Sequence, residues 1–284
     1  MNMGIYYFSG SGNSLHVARE LQKGLPQTTL IPLVSLLNQP SVVTTGDAVG
    51  FVFPQHGWQM PVMVDEILQK FELHSASYIF AVATRGGTPC RAFLEMEKTL
   101  NRKGRNLDAY FVLTMPGSTQ SLIKTFHEKI NEERIARLET EMLTRLKEIV
   151  RIIRSREAYH DENLDGVDMP PVNHFMEPLV LSLARLAESN FIFYSDAKCK
   201  GCGICEKVCL AEKIKLVEDH PIWQKNVKCL NCFSCLNYCP EMAVQLKSSW
   251  YFKSYTPQNG RYHHSQITAD DIAGQKISPD PVSG

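Results

Sequence analysis

Cys199-Lys200-Gly201-Cys202-Gly203-Ile204-Cys205-Glu206-Lys207-Val208-Cys209 and Cys229-Leu230-Asn231-Cys232-Phe233-Ser234-Cys235-Leu236-Asn237-Tyr238-Cys239-Pro240 are two copies of one pattern, C-x2-C-x2-C-x3-C. They hold eight of the nine cysteines of the chain. Three thiolates at three-residue steps can wrap one iron–sulfur cube, and the fourth then reaches the cube held by the other run. The pattern predicts two [4Fe–4S] clusters with Cys199, Cys202, Cys205, Cys209, Cys229, Cys232, Cys235 and Cys239 as ligands. Thiolates suit iron in a sulfide cage because both are soft. Disulfides would suit a small secreted domain, and nothing here marks secretion. Zinc sites favour two C-x2-C pairs across a long gap, or bring in histidine, and two triple steps fit neither well. Leu210 stands where a proline often follows the fourth cysteine, which loosens the turn but removes no ligand.

A chain of 284 residues, 44% hydrophobic and 21% charged, can bury a sizeable core and suggests two domains. Its net charge of zero points away from general nucleic-acid binding. No apolar run reaches membrane-span length, and Leu179 to Ala187 is short and carries Arg185. Met1 to Gly12 lacks the basic start and apolar core of a signal peptide. Thiolates without an export signal place the expectation in a reducing cytoplasm.

Upstream of the cysteines, short apolar runs alternate with helical patterns. Strands are expected at Ile5–Phe8, Thr29–Val34, Asp47–Phe53, Tyr78–Ala83 and Asp108–Leu113. Helices are expected at Ser14–Lys23, Val62–Phe71, Arg91–Leu100 and, as one long crossover, Phe126–Tyr159. That alternation argues for a parallel sheet covered on both faces, with ligands beyond the carboxyl ends of its strands. The loop after the first strand, Ser9-Gly10-Ser11-Gly12-Asn13-Ser14, is small, polar and opens a helix. Its N–H groups, helped by the helix dipole, can cradle a phosphate, with the side chains of Ser9, Ser11, Asn13 and Ser14 as further donors. No Walker lysine follows, and Leu15 stands where a dinucleotide fingerprint needs glycine.

The stretch Tyr7 to Ser14, Y-F-S-G-S-G-N-S, resembles the phosphate loop of flavodoxins, and the order of elements follows theirs. The resemblance implies FMN and a five-stranded sheet of order 2-1-3-4-5. It also implies two further loops around the flavin ring. The first runs Phe53 to Pro61 and includes Pro54, His56, Gly57 and Trp58, with Trp58 as the stacking ring. Related fusion proteins often carry tyrosine where His56 stands; His56 reads either as a group beside the ring that senses its protonation or, more commonly for a lone loop histidine, as a solvated residue. The second loop runs Thr84 to Cys90. There Gly86 and Gly87 let backbone approach the ring, and Arg85 could offset charge on the reduced flavin. Cys90 reads as a small packed residue. Met115-Pro116-Gly117-Ser118 is a further loop on the same edge.

Asp161 to Val172 has linker composition, and Phe175 to Leu186 is an expected helix. Phe191–Phe193, the hairpin Ile214–Val217 with Pro221–Trp223, and Ala243–Leu246 surround the cysteines as short strands. This duplicated unit closely resembles two-cluster bacterial ferredoxins. From Phe191 to Ser248 there are eight lysines and six acids, so this unit lacks the strong acidity of many small ferredoxins. In the polar tail, Trp250, Tyr251, Phe252 and Tyr255 are expected anchors. Arg261-Tyr262-His263-His264 resembles a segment of related flavodoxin–ferredoxin fusions, and its histidines read as metal ligands or, more commonly, surface residues.

The expected organisation is a flavodoxin-like FMN domain (1–160), a linker with connecting helix (161–190), a two-cluster ferredoxin-like domain (191–248) and an extended tail (249–284). The resemblance implies electron transfer between FMN, two [4Fe–4S] clusters and redox partners. The alternatives are a flavin-dependent NAD(P)H or quinone oxidoreductase and a redox sensor.

Overall fold

The computed structural model describes residues 2–44, 46–117, 131–162, 164–165, 177–188, 191–247 and 261–277. Its larger unit is built on β1 (Met3–Tyr7), β2 (Thr28–Pro32), β3 (Ala48–Pro54), β4 (Tyr78–Arg85), β5 (Ala109–Thr114) and β6 (Tyr159–His160). All pair in parallel, in the order β2-β1-β3-β4-β5-β6. Every residue of β4 is buried, as expected of a strand covered on both faces. Phe51, Phe53, Phe80 and Phe111 lie in the core beside the strands' aliphatic residues. Gly50 admits this packing: a Cβ there would stand 2.2 Å from the Phe80 ring.

The covering helices are α1 (Asn13–Gly24), α2 (Val62–Leu68), α3 (Ala92–Asn101) and α4 (Glu132–Ser155). α4 buries Leu138, Met142, Leu146, Ile149, Ile152 and Ile153, one stripe at steps of three and four. Asn131 caps it by accepting from the Arg134 N–H. The sequence pattern runs this helix to Tyr159, but the chain leaves it earlier. Arg156 turns left-handed at φ 53°, and Tyr159–His160 then joins the sheet as a sixth strand beyond the expected five. Tyr159 stacks on Phe111 at 5.2 Å, and the Val112 N–H donates to the Asp161 carboxylate. Edge pairing and an aromatic stack outweigh one more helical turn here. The expected start of α4 at Phe126 falls outside the described residues.

α5 (Glu177–Glu188) lies against the loop after β3. The smaller unit follows as β7 (Phe193–Ser195), α6 (Ile204–Lys207), β8 (Ile214–Val217), β9 (His220–Trp223), α7 (Ser234–Asn237) and β10 (Val244–Leu246). β8 and β9 form the expected hairpin, and β10 pairs antiparallel with β7. Phe193, Ile214, Phe233, Leu236, Val244 and Leu246 make a small core around the cysteines. The duplication extends to backbone detail: Gly203 (φ 75°) and Phe233 (φ 60°), each before the third cysteine of its run, both adopt the left-handed conformation. Glycine does so freely, whereas Phe233 is held there by its packing on Phe191 and Phe193.

The tail departs from the extended chain expected. Residues 261–277 carry α8 (Ala269–Gly274), begun by a capping box between Thr268 and Asp271. Ile267 and Ile272 are buried against the body. The aromatic anchors expected at 250–255 fall outside the described residues.

Candidate functional site: two cysteine quartets against a buried loop

The eight cysteines sort into two groups that cross the runs. Cys199, Cys202, Cys205 and Cys239 line one cavity together with Gly203, Leu216 and Pro221. The Cys205 thiol is pushed up to about 11 by burial, then by Cys239, Cys199 and Cys202 nearby. Burial pushes Cys232 up to about 12, and its sulfur neighbours are Cys229 and Cys209. Burial also raises Cys235, and so, in falling order, do the nearby sulfurs of Cys232, Cys229, Cys209 and Cys205. The fourth cysteine of each run thus joins the other run's triplet. Donors towards sulfur include the Asn231 N–H to Cys229 (3.4 Å), the Ala243 N–H to Cys239 (3.2 Å) and the Ser234 hydroxyl to Cys232 (3.2 Å).

Sulfur spacing separates two metal chemistries. Among the described residues, only His16, Glu139 and His264 bring three ligand atoms within 4.8 Å of one another. The cysteine sulfurs stand wider. A single tetrahedral zinc with Zn–S bonds of about 2.3 Å would draw its sulfurs to about 3.8 Å apart. A cube of iron and sulfide holds its thiolates farther apart, so the quartets fit the larger group.

The loop Ser9–Ser14 is buried rather than open, and its side chains are largely engaged. The Ser9 hydroxyl accepts from the Gly12 N–H (3.1 Å) and Ser14 shares a hydrogen bond with Thr84 (2.9 Å). Asn13 donates to the Pro116 carbonyl (2.8 Å) and accepts from the Tyr262 hydroxyl (2.9 Å). These three side chains position the loop more than they await a ligand. The backbone tells the other half. Gly12, at φ 96°, precedes α1 without any side-chain cap, although Asn13 and Ser14 are buried. Among the described residues no acceptor meets the Asn13 and Ser14 N–H groups. Buried N–H groups at a helix start call for an acceptor, and a phosphate supplies one.

The two ring-side loops are tied together. Gln55 Nε2 donates to Thr88 Oγ1 (2.5 Å), while Gln55 Oε1 is buried with no partner among the described residues. His56 and Gln59 exchange backbone hydrogen bonds (2.9 and 2.8 Å) around Gly57 (φ 51°) and Trp58 (φ 72°). Two left-handed central residues define a type I′ turn. Trp58 is half-buried, and Pro54 ends β3 at the base of this loop. Burial, then the nearby Arg185 charge, lowers His56 to about 4, so this ring is neutral at neutral pH. Arg85 does not stand ready to meet a reduced ring. It is 6% exposed and donates to Thr114 Oγ1 and to the carbonyls of Thr88, Leu164 and Asp165. Gly86 and Gly87 follow it, and a Cβ on Gly86 would crowd Gly117 at 3.1 Å. Cys90 is fully buried and pushed up to about 11 by that burial, which makes it a packed thiol.

Sequence reasoning missed the residues that cover the loop. Gln275 bonds Ser9 through both backbone atoms (2.9 and 2.8 Å), and the His264 N–H donates to the Ser11 carbonyl (2.8 Å). His264 and His16, 4% and 3% exposed, reach the two oxygens of Glu139 at 3.3 and 2.8 Å, with their rings stacked at 3.9 Å. This trio is a hydrogen-bonded clamp rather than a metal site. The Gln266 N–H donates to His264 Nδ1 (3.3 Å), which leaves the ring proton on Nε2, facing the carboxylate. Near-parallel rings also cannot both aim in-plane lone pairs at one ion. The only sequence signal was the quoted segment at 261–264, and neither His16 nor Glu139 carried one.

No family model and no curated protein matches this chain. Among the solved structures similar to it are two flavin proteins. One, described as a flavoprotein from Bacteroides uniformis ATCC 8492, has 14% identity over 41% of this chain and 92% of its own, with a TM-score of 0.33. The other is an FMN-dependent NADH-azoreductase from Bacillus anthracis str. Ames Ancestor in complex with FMN. It has 10% identity over 53% of this chain and 100% of its own, with a TM-score of 0.34. Likeness of this degree does not assign a ligand, and the site is read from its own geometry. Among the described residues no helix is long and apolar enough to cross a membrane.

Proposed function

We propose that this chain is a flavin-dependent oxidoreductase with two [4Fe–4S] clusters as its electron relay. The observation that carries the reading is a contact. The loop with unmet, buried N–H groups touches a cysteine quartet, since a Cβ on Gly10 would stand 2.0 Å from the Cys232 carbonyl oxygen. Flavin, when bound, supplies two-electron chemistry that can exchange with one-electron centres. The chain's own residues then have definite tasks. The first turn of α1 holds the phosphate through backbone N–H groups. Gln55 Oε1, buried and without a partner among the described residues, would accept from a ring N–H. Trp58 covers a ring face and limits water. The Gly86–Gly87 backbone would approach the ring edge. Cys199, Cys202, Cys205 and Cys239 hold one cluster, and Cys209, Cys229, Cys232 and Cys235 the other.

Gly57, at the tip of the 56–59 turn, is exposed. A small oxidant or reductant that reached a bound ring beside this turn would make the chain a reductase rather than a carrier alone. The test is an anaerobic preparation assayed for iron, sulfide and flavin, then for turnover with NADH, NADPH and quinones. About eight iron and about one FMN per chain are expected. Zinc without iron would overturn the cluster assignment. A loaded protein that turns over none of these substrates would leave electron transfer between proteins as its role.

A further inference from the structure

The two cysteine quartets occupy unlike positions. The quartet containing Cys232 faces the larger unit. Its Cys232 carbonyl sits against Gly10. Ser234, fully buried, donates to the Gly10 carbonyl (2.9 Å) and lies 3.2 Å from the Cys232 sulfur. Lys228, one residue before Cys229, pairs with Glu66 at the end of α2 (2.6 Å). The other quartet faces outward. Its Cys202 is an exposed cysteine, and its cavity is walled by the β8–β9 hairpin through Leu216 and Pro221. Val217 and Ile222 of that hairpin and Met242 beside Cys239 are exposed.

Resting on the cluster and flavin reading above, we propose that the relay has a fixed order, with Cys199/Cys202/Cys205/Cys239 as the outer port and Cys209/Cys229/Cys232/Cys235 as the inner centre, whose potential Ser234 sets at its seam with the loop. One electron from a one-electron redox protein would reduce the outer cluster, which would pass it to the inner one, and the inner cluster would pass it across the seam at Gly10 and Cys232 to the flavin, or the same path would run in reverse. At each transfer the donor would be oxidised as the acceptor is reduced, and no bond to carbon would change. The Ser234 hydroxyl has one proton and two acceptors, the Cys232 sulfur and the Gly10 carbonyl. Its share towards sulfur lowers the electron density on the inner cluster and raises that cluster's potential. Ser234 is therefore a positioning and tuning residue, joined by one atom to both sides of the seam.

The test uses full-length protein reconstituted anaerobically, with iron and sulfide measured first. The two reduced clusters are distinguished by deuterium exchange in pulsed EPR, the outer showing the stronger solvent modulation. In Ser234→Ala, redox titration should show the weakly exchanging cluster shifted to lower potential and the other unchanged. Gly10→Ala, which pushes the loop off Cys232, should change the signal of that same cluster. A shift of the solvent-exchanging cluster, an equal shift of both, or none in either variant overturns the order. Wild-type protein without iron would instead overturn the reading on which it rests.

Discussion

Trp58 shows how a single side chain serves a turn and a site together. Its φ of 72° is strained for a large residue, and asparagine tolerates that region better. Trp58→Asn should therefore keep the 56–59 turn while removing the indole. The expected result is a brighter flavin bound about fivefold more weakly, read by fluorescence titration, because a ring stack contributes about 1 kcal/mol. An unchanged affinity and emission would place the indole away from the flavin. Glu139 acts at the same scale through charge. Hydrogen bonds from His16 and His264 lower its carboxyl from 4.5 to about 2. A carboxylate with a lowered folded value stabilises the fold above its ordinary range and loses that contribution as pH falls. The clamp should hold above about pH 4.5 and fail as the pH approaches 2. Hydrogen exchange at 261–277 should rise over that window. Glu139→Gln should cost about 2 kcal/mol at neutral pH and flatten the acid dependence, measured by denaturant unfolding.

Among the elements, α5 is held by few but well-placed contacts. Arg185 pairs with both oxygens of Glu95 (2.8 and 2.9 Å) and donates to the Met60 carbonyl (3.0 Å). Glu95 also accepts from the Met60 N–H (2.9 Å), and Gln59 donates to the Leu181 carbonyl (2.9 Å). One carboxylate thus joins α3, the ring-side loop and α5. Glu95→Ala should cost about 2 kcal/mol, since it leaves a guanidinium and an N–H without their acceptor. The α5 amides should exchange faster in this variant, and flavin affinity should fall although no proposed flavin contact has been removed. Equal exchange in variant and wild type would show α5 to be held by other means.

For the whole molecule, the strap at 261–277 joins the two units. Arg19 pairs with Asp271 (2.5 Å) on the larger unit, and Lys207 of α6 pairs with Asp270 (2.5 Å). Tyr238 donates to the Ile267 carbonyl (3.1 Å), and the Tyr262 N–H donates to Asn237 (3.2 Å), both beside Cys239. A chain ending at residue 260 should melt roughly 5 °C lower or more, because buried side chains and buried hydrogen bonds go together. Its clusters should bleach faster in air, followed by absorbance, as the seam loses its cover. Retained bleaching rates would mean that the strap serves stability alone.

Local spacing was enough for much of this. Cysteine steps of three predict how thiolates group because ligand geometry depends on a few adjacent residues. Alternating apolar runs gave β1 to β5, since strand and helix periods are local properties of the chain, whereas their order was implied by the flavodoxin resemblance. Tyr159–His160 escaped that reading because a two-residue edge strand has no period to detect. The ring-side loops were found by position, yet the sequence could not show that Arg85 is spent on carbonyls or that Ser9, Asn13 and Ser14 are engaged by Gly12, Pro116, Thr84 and Tyr262. Those partners lie up to hundreds of residues apart, and only folding brings them within reach. The same holds for Ser234 against Gly10 and for His16, Glu139 and His264. By itself the sequence predicted two crossed thiolate quartets and determined an α/β unit ahead of them; the tertiary structure decided which quartet faces the loop and what closes over it, because both depend on packing between distant segments rather than on spacing within one.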